Sequence, residues 1–387
     1  MKTRYFSAPG RVEIGGNHTD HQRGRVLAAA IDLEAAAAVK ANGSNIVRMT
    51  SAGFGPLEID LSDLHAHAGE KGKPEALVRG VAAWFRDNGY PVGGFDAEAS
   101  SAVPVGEGLS SSAAFEVLTG NIFSGLFGAG LSPAEIAMAG QFAENMYFGK
   151  PCGLMDQTAS SYGGLNLIDF RDFQKPLVTP VDAEITGYDL CVAATGGSHA
   201  DLTSDYTACA EEMGAVAAYF GKKYLSEVDA DEFFSSAGRL RHLGDRAILR
   251  AIHFFGENGR VLKQTDALER GDTGAFLELV VESGRSSLAY LQNVYRPSDP
   301  GSQGLTLGLA LSEKTLGGAG AWRVHGGGFA GSVLAFVPYD LKNEYSFTMS
   351  AVFGEGCCRF LSIRDEGGGE VHYSRDAASM QHLQESN

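Results

Sequence analysis

The segment PVGEGLSSSA, residues 104–113, carries the clearest chemistry in the chain. Binding a triphosphate needs several hydrogen-bond donors converging on oxygens in a small space, and Cβ atoms obstruct that approach. Gly106 and Gly108 remove the obstruction, and Ser110, Ser111 and Ser112 offer hydroxyls and free backbone N–H groups. The run that follows, SSAAFEVLTGNIFSGLF from Ser111, is apolar enough for a buried helix. The serines therefore occupy a first helical turn, where unpaired N–H groups and the macrodipole both favour an anion. We take Gly106, Glu107, Gly108, Leu109, Ser110, Ser111 and Ser112 as the nucleotide-binding stretch. It lacks the lysine of a GxxxxGK[ST] loop and the ribose-binding acid of a dinucleotide fold. Glu107 is unwelcome beside phosphates, so its side chain is expected to turn to solvent.

The elements that must position this loop are readable around it. A helix is predicted over 74–88, opened by Pro74 and stopped at Asn88-Gly89, then a strand near 94–103 leading into the loop. Clusters at 4–14 and 25–40 read as strands around the turn-rich GGNHTDHQRG, residues 15–24, which is expected at a sheet edge. Residues 133–148 read as a helix, and 163–169 and 188–194 as strands. Helical patterns then dominate, over 205–220, 230–255, 274–283 and 302–314. VHGGGFAGSVLAFV at 324–337 reads as strand, loop and helix, followed by a strand near 358–363 and a frayed tail after Ser374.

At 387 residues, the chain is too long for one typical core, and the change of character near residue 187 predicts two domains, 1–187 and 188–387. A net charge of −16 argues against nonspecific attraction to nucleic acid or an anionic membrane. A phosphate ligand must then be held by local backbone and metal. The five cysteines have no CxxC spacing, which fits reduced thiols in a cytoplasmic protein. No signal peptide is read at the N-terminus, and no apolar stretch reaches the roughly 20 residues that span a bilayer.

Three separated motifs resemble the galactokinase branch of the GHMP kinases. PGRVEIGGNHTD (9–20) is similar to the signature PGRVNLIGEHTD, CGLMDQ (152–157) to CGIMDQ, and HGGGFAGS (325–332) to TGGGFGG; PVGEGLSSSA matches PxxxGLSSSA. The resemblance implies an α+β, two-domain GHMP fold with a left-handed βαβ unit and ATP in the interdomain cleft. It implies phosphoryl transfer to the anomeric hydroxyl of a galactose-type sugar. Asp156 matches the catalytic aspartate, Arg11 the arginine that stabilises the transition state, and Ser112 with Glu144 the pair that holds Mg²⁺. Tyr206, preceded by His199, matches a tyrosine beside the sugar; Gly153 belongs to the same site. A monomer is compatible with the sequence.

Asn17, His18, Thr19 and Asp20 stand where the family has Glu-His-Thr-Asp, which reads sugar hydroxyls; Asp20 is expected to accept from two of them. Asn17 replaces a glutamate facing the 6-hydroxyl. Two carboxylates about 4 Å apart repel by about 4 kcal/mol at an effective dielectric near 20. Removing one carboxylate makes galacturonic acid a rival to galactose, with His21 or Arg23 nearby. A solvated turn and a metal site of His18, Asp20 and His21 are the other readings of this loop, the latter without further ligands to support it. A noncatalytic sugar sensor is the rival from another class, but Ser112, Ala113, Asp156 and Arg11 are all present.

Overall fold

The computed structural model of the chain describes residues 2–51, 54–196 and 202–372. His199 and the tail beyond Ser374 lie outside these residues. The first half of the chain supplies seven strands, β1 (Arg4–Gly15), β2 (Arg25–Ala41), β3 (Ile46–Ser51), β4 (Phe54–Asp60), β5 (Phe95–Ser101), β6 (Leu165–Asp169) and β7 (Leu177–Pro180). Four helices accompany them, α1 (Pro74–Asp87), α2 (Ser111–Phe127), α3 (Pro133–Ala143) and α4 (Met155–Tyr162). The second half supplies β8 (Tyr188–Ala194), β9 (Ala321–His325), β10 (Ser332–Pro338) and β11 (Cys358–Leu361). Its helices are α5 (Thr203–Tyr219), α6 (Ala230–Ser236), α7 (Asp245–Glu269), α8 (Thr273–Ser286), α9 (Gly304–Leu316) and α10 (Lys342–Phe353).

β2 is long enough to serve three neighbours. It pairs with β1, with β6 through Arg25–Ala29 and with β5 through Ala35–Ala41. β5 continues into a parallel pairing with β3. The second sheet is antiparallel in the order β11-β8-β10-β9. A last strand, β12 (Gly369–Val371), returns to pair with β1, so the first sheet also takes a piece of chain from beyond residue 187. One apolar core runs through both halves: Phe6, Val12 and Phe123 share it with Val261, Phe276 and Phe336.

Two stretches differ from the sequence reading. The helix expected over 230–255 is interrupted, because Gly244 takes φ 95° and ψ 141°, a conformation no helix accommodates, and α7 starts afresh after it. The helix expected after HGGGFAG is strand β10. Its SVLAFVP sequence is buried at every position between β8 and β9, as suits a central strand with both faces covered.

The β1–β2 register shifts between Pro9 and Arg11. Proline has no N–H for the ladder, so the irregularity falls there. Just beyond it the Arg11 N–H turns to the Leu109 carbonyl at 3.2 Å, docking the glycine-serine loop on β1. Gly10 allows this approach, since a Cβ there would stand 2.9 Å from the same carbonyl oxygen.

The 15–24 segment is no solvated edge loop. Asn17, Thr19 and Gln22 are buried, and α7 grips the backbone from the other half of the molecule. Glu257 Oε1 accepts from the N–H groups of Gly16 (3.0 Å) and Asn17 (3.4 Å) and from Ser283 Oγ (2.6 Å), while Oε2 meets Arg260. His253 Nε2 lies 2.9 Å from the Asn17 carbonyl. Burial alone would raise the Glu257 carboxyl, but the His253 ring, Arg323, Arg260 and Ser283 outweigh it and hold it at about 2. The stability this supplies is present above the ordinary carboxylate range and is lost as pH falls toward about 2. Replacing Glu257 by Gln is expected to lower the unfolding free energy by about 2–3 kcal/mol near neutral pH, measured by urea denaturation. A loss below about 0.5 kcal/mol would mean that the loop does not depend on this carboxylate.

Candidate active site

The two halves enclose a cleft of about 1200 Å³, larger than most single-ligand pockets. Arg11 reaches its floor from β1. The Arg11 guanidinium meets Asp156 through two parallel bonds, Nε to Oδ1 and Nη2 to Oδ2, each 2.8 Å. Asp156 stands in the first turn of α4, a position that suits a carboxylate. Ser110 Oγ also donates to Asp156 Oδ2, and Arg11 Nη1 donates to the Gly108 carbonyl. Burial would raise Asp156, but the Arg11 charge and hydrogen bonds, Ser110 and Lys150 together hold it at about 2. Strand, glycine-serine loop and helix therefore meet at one carboxylate.

The loop keeps the shape its residues suggested. Gly106 and Gly108 take φ 81° and 84°, and Ser110 takes φ 59° immediately before α2. Gly106, Gly108 and Ser110–Ser112 line the cleft. Leu109 does not; it is fully buried and serves the loop through its carbonyl. Glu107 does not turn to solvent. Its carboxylate pairs with Arg359 of β11 at 2.5 and 2.9 Å, and its carbonyl accepts from Ser332 Oγ at 2.9 Å. Ser332 spends its proton there, so His325 Nδ1 donates to the Ser332 oxygen and His325 Nε2 accepts from the Glu13 N–H at 3.2 Å. HGGGFAGS is thus tied to the phosphate loop and to β1 at once.

Ser112 Oγ donates to Glu144 Oε1 at 3.0 Å, which brings together the two residues expected to hold a cation. Glu144 opens a π-helical turn, Glu144–Phe148, at the end of α3. Its other oxygen takes Gln157 Nε2 at 3.0 Å, and that nitrogen also reaches Glu116 Oε2 at 2.9 Å. A hydroxyl and a carboxylate are hard oxygen ligands of the kind that would suit Mg²⁺.

Asn17, expected to meet the substrate, does not line the cleft. It is fully buried: Nδ2 donates to Glu13 Oε1 (3.0 Å) and to the Gly326 carbonyl (2.7 Å), and Oδ1 accepts from Ser287 (3.2 Å) and Asn293 (2.9 Å). A carboxylate-repulsion argument centred on position 17 therefore has no geometric footing. Glu13 lines the cleft instead, backed by Arg323 at 2.6 Å. Thr19 is likewise spent on the backbone, its hydroxyl meeting the carbonyls of Gly16 and Arg25.

His18, Gly153 and Tyr206 do line the cleft. His18 Nε2 donates to the Gly327 carbonyl (2.8 Å), so its Nδ1 accepts from His21 Nε2 (3.3 Å). Burial lowers both histidines, His18 to about 4, and keeps them neutral. Tyr206 packs its ring over Gly327, where a Cβ would lie 2.3 Å from it. Asp20 borders an adjoining pocket of about 290 Å³ with Arg23, Tyr224 and Gly153. Its carboxylate touches Gly153 so closely that a Cβ there would lie 1.6 Å away. Among the described residues no cluster of three His, Cys, Asp or Glu is arranged to hold a metal.

The sequence reading missed three parts of the site. An apolar slot lined by Met49, Leu57, Pro74, Leu77, Ala99 and Phe115 opens beside the phosphate loop, of a kind that accepts a flat heterocycle. Lys150 also lines the cleft, and Glu257, His253, Arg323 and Asn293 support it from behind. No helix among the described residues is long and apolar enough to cross a membrane.

Comparison with known proteins places the chain among its relatives. Residues 2–41 match the galactokinase galactose-binding signature, and residues 76–164 match the GHMP kinases N-terminal domain. A galactokinase of Glaesserella parasuis serovar 5 is 31% identical over 340 residues, covering 86% of this chain and 85% of the relative. The crystal structure of Lactococcus lactis galactokinase complexed with galactose superposes with a TM-score of 0.81 at 26% identity, over 96% of this chain and 95% of that one. Methanococcus jannaschii mevalonate kinase shares the fold at a TM-score of 0.62 and 16% identity, over 94% and 98% of the two chains. On the signature, the domain match and this relative, the chain belongs to the galactokinase family of the GHMP kinases and is a sugar kinase.

Proposed function

We propose that the protein transfers the γ-phosphoryl group of ATP to the anomeric hydroxyl of a galactose-type sugar. The observation that carries this reading is the Arg11–Asp156 pair, joined by Ser110 of the phosphate loop, on the floor of a two-substrate cleft. The triphosphate lies along Gly106–Ser112, its base in the apolar slot, and the sugar lies against Asp20, His18, Gly153 and Tyr206. The L. lactis relative, solved with galactose, supports the sugar side of this assignment.

In the transfer, the sugar oxygen forms a bond to the γ-phosphorus while the bond from that phosphorus to the β–γ bridging oxygen breaks. ADP leaves with the electron pair. The hydroxyl proton passes to Asp156 as the new bond reduces its hold on oxygen. A carboxylate held at about 2 is a weak base toward a free hydroxyl, so Asp156 acts first by orienting the acceptor and takes the proton late. Arg11 fixes that carboxylate and places positive charge beside the transferred group. Ser112 and Glu144 would hold Mg²⁺, which neutralises phosphate oxygens when bound.

A second reading, phosphorylation of galacturonic acid, is favoured by one observation. The buried Nε of the Arg23 side chain lacks a hydrogen-bond partner among the described residues, and its guanidinium lies 4.1 Å over the Tyr224 ring in the pocket that Asp20 borders. A coupled ADP-release assay over galactose, galacturonate and mevalonate separates the readings. Turnover with galactose is the expected result; turnover with galacturonate alone would replace galactose, and turnover with mevalonate alone would remove both.

Two further outcomes are expected. Asp156→Ala should retain sugar binding by calorimetry while ADP release falls about 10³-fold, and normal turnover would exclude the assigned role. Asp20, raised by burial to about 6, should accept sugar hydroxyls as the ionised carboxylate. kcat/KM for the sugar is then expected to fall about tenfold from pH 7 to pH 5, a limb that Asp20→Asn flattens; a wild-type profile level down to pH 5 would remove Asp20 from that role.

A further inference from the structure

We infer that Lys150 is a further catalytic residue, whose ammonium group leaves Glu144 for the γ-phosphoryl oxygens of the bound nucleotide and stabilises their charge during transfer. The inference rests on the phosphoryl transfer proposed above. It starts from a shortage of cations. The phosphate loop has no lysine of its own, and the histidines of the cleft, His18, His21 and His325, are all lowered and neutral. Three basic side chains line the cleft among the described residues: Arg11, Lys73 and Lys150. Arg11 is committed, with Nε and Nη2 on Asp156 and Nη1 on the Gly108 carbonyl. Lys73 stands at the start of α1, beside the apolar slot. Lys150 is the cation beside Ser112.

Its position is built by the backbone. The π-helical turn Glu144–Phe148 ends at Gly149, whose φ of 82° reverses the chain. The N–H groups of Gly149 and Lys150 then both donate to the Glu144 carbonyl, at 2.9 and 3.1 Å, and Pro151 follows. The Lys150 side chain consequently folds back over its own turn, and Nζ lies 3.0 Å from Glu144 Oε1, the oxygen that also accepts from Ser112.

The two partners of this ion pair are unequal. The Lys150 side chain is 51% exposed toward the cleft, whereas that of Glu144 is 1% exposed. When Lys150 departs, Glu144 still accepts from Ser112 and Gln157, so the buried carboxylate is not stranded. The lysine stem, with its freely rotating bonds, can carry the charge a short way without moving the backbone. A transferred phosphoryl group spreads charge over its equatorial oxygens, and a cation aimed at them acts in the step itself.

The test uses the full-length protein with Lys150→Met and Lys150→Arg, both checked for unchanged thermal midpoints. Two quantities are read: ADP release with saturating sugar, and calorimetric affinities for ADP and for the non-hydrolysable β,γ-imido analogue of ATP. Lys150→Met is expected to lower kcat about 100-fold and to weaken the analogue about tenfold more than ADP, and Lys150→Arg to recover most of both. A kcat within threefold of wild type, or equal weakening of ADP and analogue, would overturn the proposal and leave Lys150 as a structural partner of Glu144. Wild-type protein that releases no ADP with any sugar would instead overturn the phosphoryl-transfer reading on which the proposal stands.

Discussion

The bidentate contact between Arg11 and Asp156 is the constraint around which the rest is arranged. The two residues are 145 positions apart in the chain, and their side chains are 6% and 23% exposed. Removing such charges from water is costly unless every donor and acceptor finds a partner. Here the partners come from three elements: β1 brings the guanidinium, α4 the carboxylate, and the glycine-serine loop adds a hydroxyl from Ser110 and a carbonyl from Gly108. None of the three can shift alone without leaving a buried charge unmatched. In the proposed reaction this contact fixes the geometry of Asp156 before any substrate arrives, which is what an enzyme relying on positioning requires.

The acceptor side is held differently, by a polar seam between the two halves. Arg323, fully buried on β9, donates to Glu13 and to the Ile14 carbonyl, while Asn17 links Glu13 to Gly326, Ser287 and Asn293. Glu257 and His253 hold the backbone of the same segment from α7. An apolar core continuous through both halves lies beneath this seam. The 15–24 segment is consequently held in place by both halves.

What was legible in the sequence was whatever local chemistry decides. The glycine-serine loop, its helix from Ser111, the Pro74 start of α1 and the strand at 188–194 follow from conformational preference and apolar run length over a few neighbours. The break at Gly244 was missed because apolar spacing on either side of it suits one long helix. Strand β10 was missed because a short apolar run does not distinguish a covered strand from a buried helix. Asn17 and Glu107 were misplaced for another reason. Their partners lie far away in sequence, up to 309 residues for Asn17 and 252 for Glu107, and nothing local reports such contacts. Motif position alone does not determine which way each side chain faces. His253 and Glu257 lie four apart on a helical face that also buries Arg250 and Gln264, a spacing that gathers polar side chains into one seam.

The return of β12 to the first sheet has a mechanical consequence. The chain passes between the two sheets twice, once between β7 and β8 and again between β11 and β12. The second passage is laced to β2: Asp32 and Ser362 bond backbone to backbone, Ile31 bridges Ile363, and Arg364 pairs with Glu34. A single covalent joint would let one half swivel freely against the other. Two separated joints define an axis, like the paired hinges of a door, so that any rotation of one half against the other is confined to a swing in one direction.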